Sequence, residues 1–174
     1  MIRREAANDN ASIRRVVAAA FGSDIEADLV DRIRASPQYV PELALVAERD
    51  GEIVGHVMIS GASMHNASGN RPIVLLSPLA VDPVHQKQGI GGQLVRAVVA
   101  LADQRGEPLV VLEGSVKYYS RFGFQFSVPH GIEMHLPEWA APESAQVMLL
   151  TTYDASDDTL KGMVVYPPAF DGLT

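Results

Sequence analysis

Apolar residues recur along the chain with two different periods, and the switches between them mark the elements. Ile2–Glu5 is short and extended. Ile13, Val16, Val17 and Ala20 then fall on one helical face that runs to about Phe21. Asn8, Asp9 or Asn10 can cap its start, and Gly22 follows its end. Ser23-Asp24-Ile25-Glu26 has the form of a capping box, and Ile25, Leu29, Val30 and Ile33 carry a second helix to about Ala35. Leu43–Glu48 and Ile53–Ser60 flank Asp50-Gly51, the signature of a β-hairpin. Gly61–Arg71 is small and polar, which predicts a loop. Ile73–Val81 predicts the fourth strand, with Pro78 inside it; a proline in a central strand belongs at a bulge or a break in the ladder.

Beyond Val81, Asp82-Pro83 stops the strand, because an X-Pro step favours a turn and proline offers no N–H. Leu94, Val95, Val98, Val99, Leu101 and Ala102 predict a helix over Gly91–Gln104, ended by Arg105-Gly106. Leu109–Leu112 is wholly apolar, hence a buried parallel strand that completes a βαβ unit. Ser115–Phe122 predicts a short helix or turn, and Gln125–Val128, Gln146–Thr152 and Met163–Tyr166 predict strands. Pro129–Glu143, with Trp139, predicts an irregular connection. The pattern is α/β with a mixed sheet, and 174 residues without repeat or linker predict one domain.

Composition narrows the chemistry. A formal charge of −7 argues against electrostatic binding of nucleic acid. With no cysteine there are no disulfides, thiol nucleophiles or thiolate metal sites. His56, His65, His85, His130 and His135 form no close metal-binding pair, so no metal is expected. No apolar run reaches membrane-spanning length, and MIRREAANDN lacks a signal-peptide core; the cytoplasm is the expected location.

The stretch Gln86-Lys87-Gln88-Gly89-Ile90-Gly91-Gly92 lies between a strand end and a helix start. The first amides of a helix lack internal partners, the dipole adds partial positive charge, and glycines admit phosphate oxygens to the backbone. Gln86-x-x-Gly89-x-Gly91 resembles the Q/R-x-x-G-x-G/A segment of the GNAT superfamily of acetyl-CoA-dependent N-acetyltransferases. Leu79-Ala80-Val81-Asp82-Pro83 resembles the end of that family's fourth strand. Tyr118-Tyr119-Ser120-Arg121-Phe122-Gly123-Phe124 is similar to its Y-x-x-x-G-F segment, in the form found in the YhbS-like branch. The close resemblance spans about Val74–Phe126.

The resemblance implies a single-domain GNAT-type fold: a mixed central β-sheet with a V-shaped splay between strands 4 and 5, flanked by α-helices. Pro78 would sit at the bulge that helps part these strands. It implies acetyl-CoA as co-substrate, with pantetheine pairing along Leu79, Ala80 and Val81, and an N–H there polarising the thioester carbonyl. Backbone N–H groups from Gln86 to Gly92 (Gln86, Lys87, Gln88, Gly89, Ile90, Gly91, Gly92) would grip the diphosphate, with Lys87 adding charge at the rim. Tyr119 stands where the family places its general acid; a phenol of pKa about 10 is protonated at neutral pH and can supply a departing thiolate. A one-residue slip in this placement would give that role to Tyr118. The family often has a cofactor-contacting asparagine here, but Glu113–Lys117 holds none, so that contact is missing or replaced by Ser115. The base is poorly marked: Glu113 ends the fifth strand, and a water held by Ser77 is the other route. The first two helices would border the pocket for a small-molecule or peptide amine, and Tyr39 reads as a packing wedge. The fold is compatible with a homodimer.

Two other classes compete. A dinucleotide-binding oxidoreductase would use Gly89-x-Gly91 and Glu113, but Leu94 occupies the third glycine position and Asp82–Gln88 is too long for that tight turn. A non-catalytic acyl-CoA sensor on the same fold would explain the weakly marked base.

Overall fold

The structure is a computed structural model and describes residues 1–173. Among them the strands join one mixed sheet. Its elements are β1 (Ile2–Arg4), β2 (Ala44–Arg49), β3 (Glu52–Asn66), β4 (Gly69–Val81), β5 (Leu109–Glu113), β6 (Gln125–Phe126), β7 (Ile132–Glu133), β8 (Ala145–Leu149) and β9 (Gly162–Val165). The helices are α1 (Asn10–Phe21), α2 (Ile25–Arg34), α3 (Ile90–Gln104) and α4 (Val116–Tyr119). The strand order is β1-β2-β3-β4-β5-β8-β6, with β9 pairing both β3 and β7. β4 and β5 are parallel, in register at Val74–Val110 and Leu75–Val111, as the βαβ pattern predicts. That register lies upstream of Pro78, which follows a cis Ser77–Pro78 peptide.

The chain divides into two compact units. The first comprises residues 1–60, 76–101 and 173, and the second comprises 61–75 and 102–172. In the first, α1 buries Ile13, Val16 and Val17, and α2 buries Leu29, Val30 and Ile33. Gly22 adopts the left-handed conformation that ends α1, its N–H bonded to Ala18 O. α2 starts differently from the predicted capping box: Ser23 Oγ accepts from Ile25 N, and Asp24 occupies the cap position without a side-chain bond. The β2–β3 hairpin turns at Asp50 and Gly51, both at positive φ (53° and 79°), as a two-residue turn of matching twist requires.

Gly55 on β3 is a packing glycine. A Cβ there would stand 2.9 Å from Leu94 Cδ1, 3.3 Å from Ile90 Cγ2 and 3.4 Å from Ala47 Cβ, and all three side chains are buried. Gly55→Val is expected to overpack this layer and cost about 1–3 kcal/mol, read as a lower urea midpoint with an unchanged slope.

A buried polar cluster links β1, α2 and β3. The Glu5 carboxylate is 3% exposed. Its Oε1 lies 2.8 Å from His56 Nε2, and its Oε2 accepts from Arg34 Nε (2.7 Å) and from the Tyr39 hydroxyl (3.0 Å). Burial raises the Glu5 pKa, but the hydrogen bonds and charges of His56 and Arg34 outweigh it and hold the carboxyl at about 2. The Tyr39 phenol is pushed up to about 12 by burial, then by the Glu5 charge. Tyr39 is therefore a hydrogen-bond donor to Glu5 as well as the packing residue the sequence suggests.

In the second unit, Ile73, Val74, Leu75, Leu109–Leu112, Ala145, Val147 and Val164 form the core. β5 pairs antiparallel with β8 from Leu109–Leu149 to Glu113–Ala145. The predicted Gly61–Arg71 loop is instead the extension of β3 and β4, turning at residues 67 and 68. Its strand character comes from a distant partner: Ser63, Met64 and His65 pair with Val165, Val164 and Met163 of β9. The connection over residues 129–143 is mostly irregular, as predicted, apart from the two-residue β7 and single 3-10 turns at Val128–His130 and Pro142–Ser144, and Trp139 within it is 87% exposed.

Candidate active site

The first set of candidate residues follows β4. Along its last six residues burial alternates: Leu76, Pro78 and Ala80 are buried, while Ser77, Leu79 and Val81 are only partly covered. Asp82 ends the strand. Its N–H donates to Val54 O, and its carboxylate caps the turn Pro83–His85 by accepting from Val84 N. The chain then folds back, because Gln86 Nε2 donates to Val81 O at 3.0 Å. The glutamine side chain thus fixes the loop, a role that the emphasis on backbone N–H groups overlooked. Lys87 (φ 63°) and Gly89 (φ 85°) both adopt left-handed conformations. For lysine this is uncommon, and at Gly89 the space a Cβ would fill is open.

α3 begins directly after this loop, with Gln93 N–H donating to Gly89 O. The amides of Ile90, Gly91 and Gly92 therefore precede the first intrahelical bond and are free of helix partners. Residues 86–89 are exposed and 90–92 are buried. The Ile90 side chain packs toward Gly55, so only its backbone can face a ligand. Arg49, at the end of β2, donates to Gln88 Oε1 and brings a cation to the loop. Nothing in the local sequence signals that contact, which spans 39 residues. A loop exposed over residues 86–89, with cations from Lys87 and Arg49 and no carboxylate among residues 86–92, suits a diphosphate.

The second set follows β5. Glu113 is exposed at the strand end, yet protein packed around its carboxyl raises its pKa above the usual range. Gly114 N–H donates to Ser144 O, and Gly114 O accepts from Gln146 Nε2 of β8, each at 3.0 Å. Ser115 caps α4: its Oγ accepts from Tyr118 N, leaving its own hydrogen free to donate. Tyr119 lies edge-on to Tyr118 (4.9 Å between centroids) and to Phe124 (5.7 Å). Burial first, and the neighbouring Tyr118 second, push the Tyr119 phenol well above its ordinary pKa, so it keeps its proton at neutral pH. Tyr118 carries the Arg121 guanidinium over its ring at 4.7 Å. Tyr166, just beyond β9, joins this set: burial, and then the Glu113 charge, push its phenol upward as well. It comes from 53 residues downstream of Glu113, too far for any motif to reveal. Among the described residues, no group of three or more His, Asp or Glu side chains is placed to hold a metal ion, and no helix is long and apolar enough to cross a membrane.

A mixed sheet with parallel β4 and β5, joined through a glycine loop and α3, is the acetyltransferase architecture that the motifs imply. The YhbS structure from Escherichia coli, solved in complex with CoA, superposes with a TM-score of 0.84 at 30% identity, covering 100% of this chain and 93% of that one. A GNAT family acetyltransferase from Brucella melitensis, solved with acetyl-CoA, gives 0.77 at 31% identity, covering 98% and 97%. The uncharacterized N-acetyltransferase YjhQ of Escherichia coli K12 is 33% identical over 153 residues, 83% of this chain and 84% of that protein. Residues 1–127 match the model of the acetyltransferase (GNAT) domain, and the chain belongs to that family.

Proposed function

We propose that this protein transfers an acetyl group from acetyl-CoA to a primary amine of a small molecule or peptide, directly and within a ternary complex. The observation that carries the reading is the 86–92 loop. Gln86 ties it to the end of β4, and its left-handed Lys87 and Gly89 present turn amides at the start of α3. The relatives solved with CoA and acetyl-CoA support the choice of ligand.

In this reading the amides from Lys87 to Gly92 hold the diphosphate, the Gln86 N–H being taken by Pro83 O, with Lys87 and Arg49 adding charge. The backbone of Leu79, Ala80 and Val81 lies along pantetheine, and one of its N–H groups polarises the thioester carbonyl. Ser115 and Tyr118 border the cofactor. The amine nitrogen forms its bond to the carbonyl carbon as the C–S bond breaks. The amine gives up a proton to Glu113, or to a water held by Ser77, and Tyr119 gives its proton to the leaving thiolate. The raised pKa of Glu113 strengthens it as a base. The dry surroundings that hold the proton on Tyr119 also make a thiolate beside it more basic, so the transfer is not opposed.

Isothermal titration should show acetyl-CoA binding in the micromolar range, and a broad amine panel should then release coenzyme A. No binding up to millimolar acetyl-CoA would remove the premise. Binding without turnover on any amine would leave a sensor.

A further inference from the structure

We infer that Gly114 is a positioning residue for Tyr119: the absence of a side chain at 114 is what lets the phenol ring lie against the turn that follows β5. This rests on the reading of Tyr119 as the proton donor. A Cβ built on Gly114 would stand 2.8 Å from Tyr119 Cε2 and 3.2 Å from Cδ2. The backbone at Gly114 lies outside the left-handed region, so conformation alone does not demand glycine there. The ring does.

Both partners are held in place. The turn is held through Gly114 N–H to Ser144 O and through Gln146 Nε2 to Gly114 O. Gln146 is 1% exposed on β8, in register with Leu112 of β5. The ring is held by the edges of Tyr118 and Phe124, and its backbone by Tyr119 N–H to Ser115 O. An added methyl must push the ring, and with it the hydroxyl, away from the place set for it. A displacement of about 1 Å at a catalytic group can cost on the order of 100-fold in rate.

The test compares Gly114→Ala and Gln146→Leu, each alone and combined with Tyr119→Phe. Readouts are coenzyme A release with the amine found by the panel, acetyl-CoA affinity, and the NMR signals of carbon-13-labelled tyrosine followed through a pH titration. Gly114→Ala is expected to lower kcat by about 10- to 100-fold with acetyl-CoA affinity unchanged, to shift the Tyr119 resonance, and to add nothing in the Tyr119→Phe background. If Tyr119→Phe keeps the wild-type rate, the proton-donor reading itself fails. If Tyr119→Phe loses rate, two results would overturn the positioning role alone: Gly114→Ala keeping its rate and its Tyr119 signals, or Gly114→Ala losing rate equally in both backgrounds. Should Gly114→Ala not fold, Gln146→Leu leaves the glycine in place and frees its carbonyl. It is expected to shift the Tyr119 signals and lower kcat only when the hydroxyl is present. Unmoved Tyr119 signals would overturn the inference, whether or not an amine turns over.

Discussion

Tyr119→Phe is expected to lower turnover by about 100-fold or more while leaving acetyl-CoA affinity near the wild-type value. The substitution removes one oxygen and keeps the ring, so the edge contacts to Tyr118 and Phe124 survive and the fold should not move. What is lost is a proton held ready in a buried place. Such a loss acts on the step in which the thiolate departs, so it belongs in kcat rather than in binding. Steady-state kinetics with a direct binding measurement separates the two. An undiminished kcat would deprive Tyr119 of its role and reopen the assignment to Tyr118.

The second large effect is on stability and has a defined pH window. Glu5 falls from an ordinary 4.5 to about 2 in the folded protein. A depressed carboxyl pKa contributes stability that is fully present above the unfolded value and is lost as pH falls through the folded one. The window is therefore from about 4.5 down to about 2. The shift corresponds to roughly 3 kcal/mol as an upper bound. At neutral pH, Glu5→Gln leaves Arg34 with only the half-exposed Asp31 as counter-charge and should cost about 3 kcal/mol. Urea unfolding from pH 7 to 2 checks both statements: the gap between wild type and variant should be widest at neutral pH and close through that window. Parallel curves would show that Glu5 is not the group responsible.

Much of the fold was legible because its signals are local. The faces of α1, α2 and α3 follow from helical spacing, the β2–β3 turn from Asp50-Gly51, and β5 from four consecutive apolar residues. The extension over 61–71 was not, because small polar residues become strand only when β9 arrives to pair with them. The candidate site divides in the same way. Gly89 announces its conformation through residue type, and Tyr119 its place through spacing to Gly123-Phe124. Gly114 carries no such mark: its backbone is ordinary, and only the nearness of a ring five residues on explains the glycine. Arg49 at Gln88 and Tyr166 near Glu113 come from distant positions, as does the cluster of Glu5, Arg34, Tyr39 and His56. Each member of that cluster looks unremarkable until the chain has folded.

The placement of Trp139 bears on how the molecule can be watched. It is the sole tryptophan, and it faces water in the native state. Its emission is therefore expected to match that of a hydrated indole, and melting of the sheet should give this fluorophore little new to report. Circular dichroism should follow denaturation better.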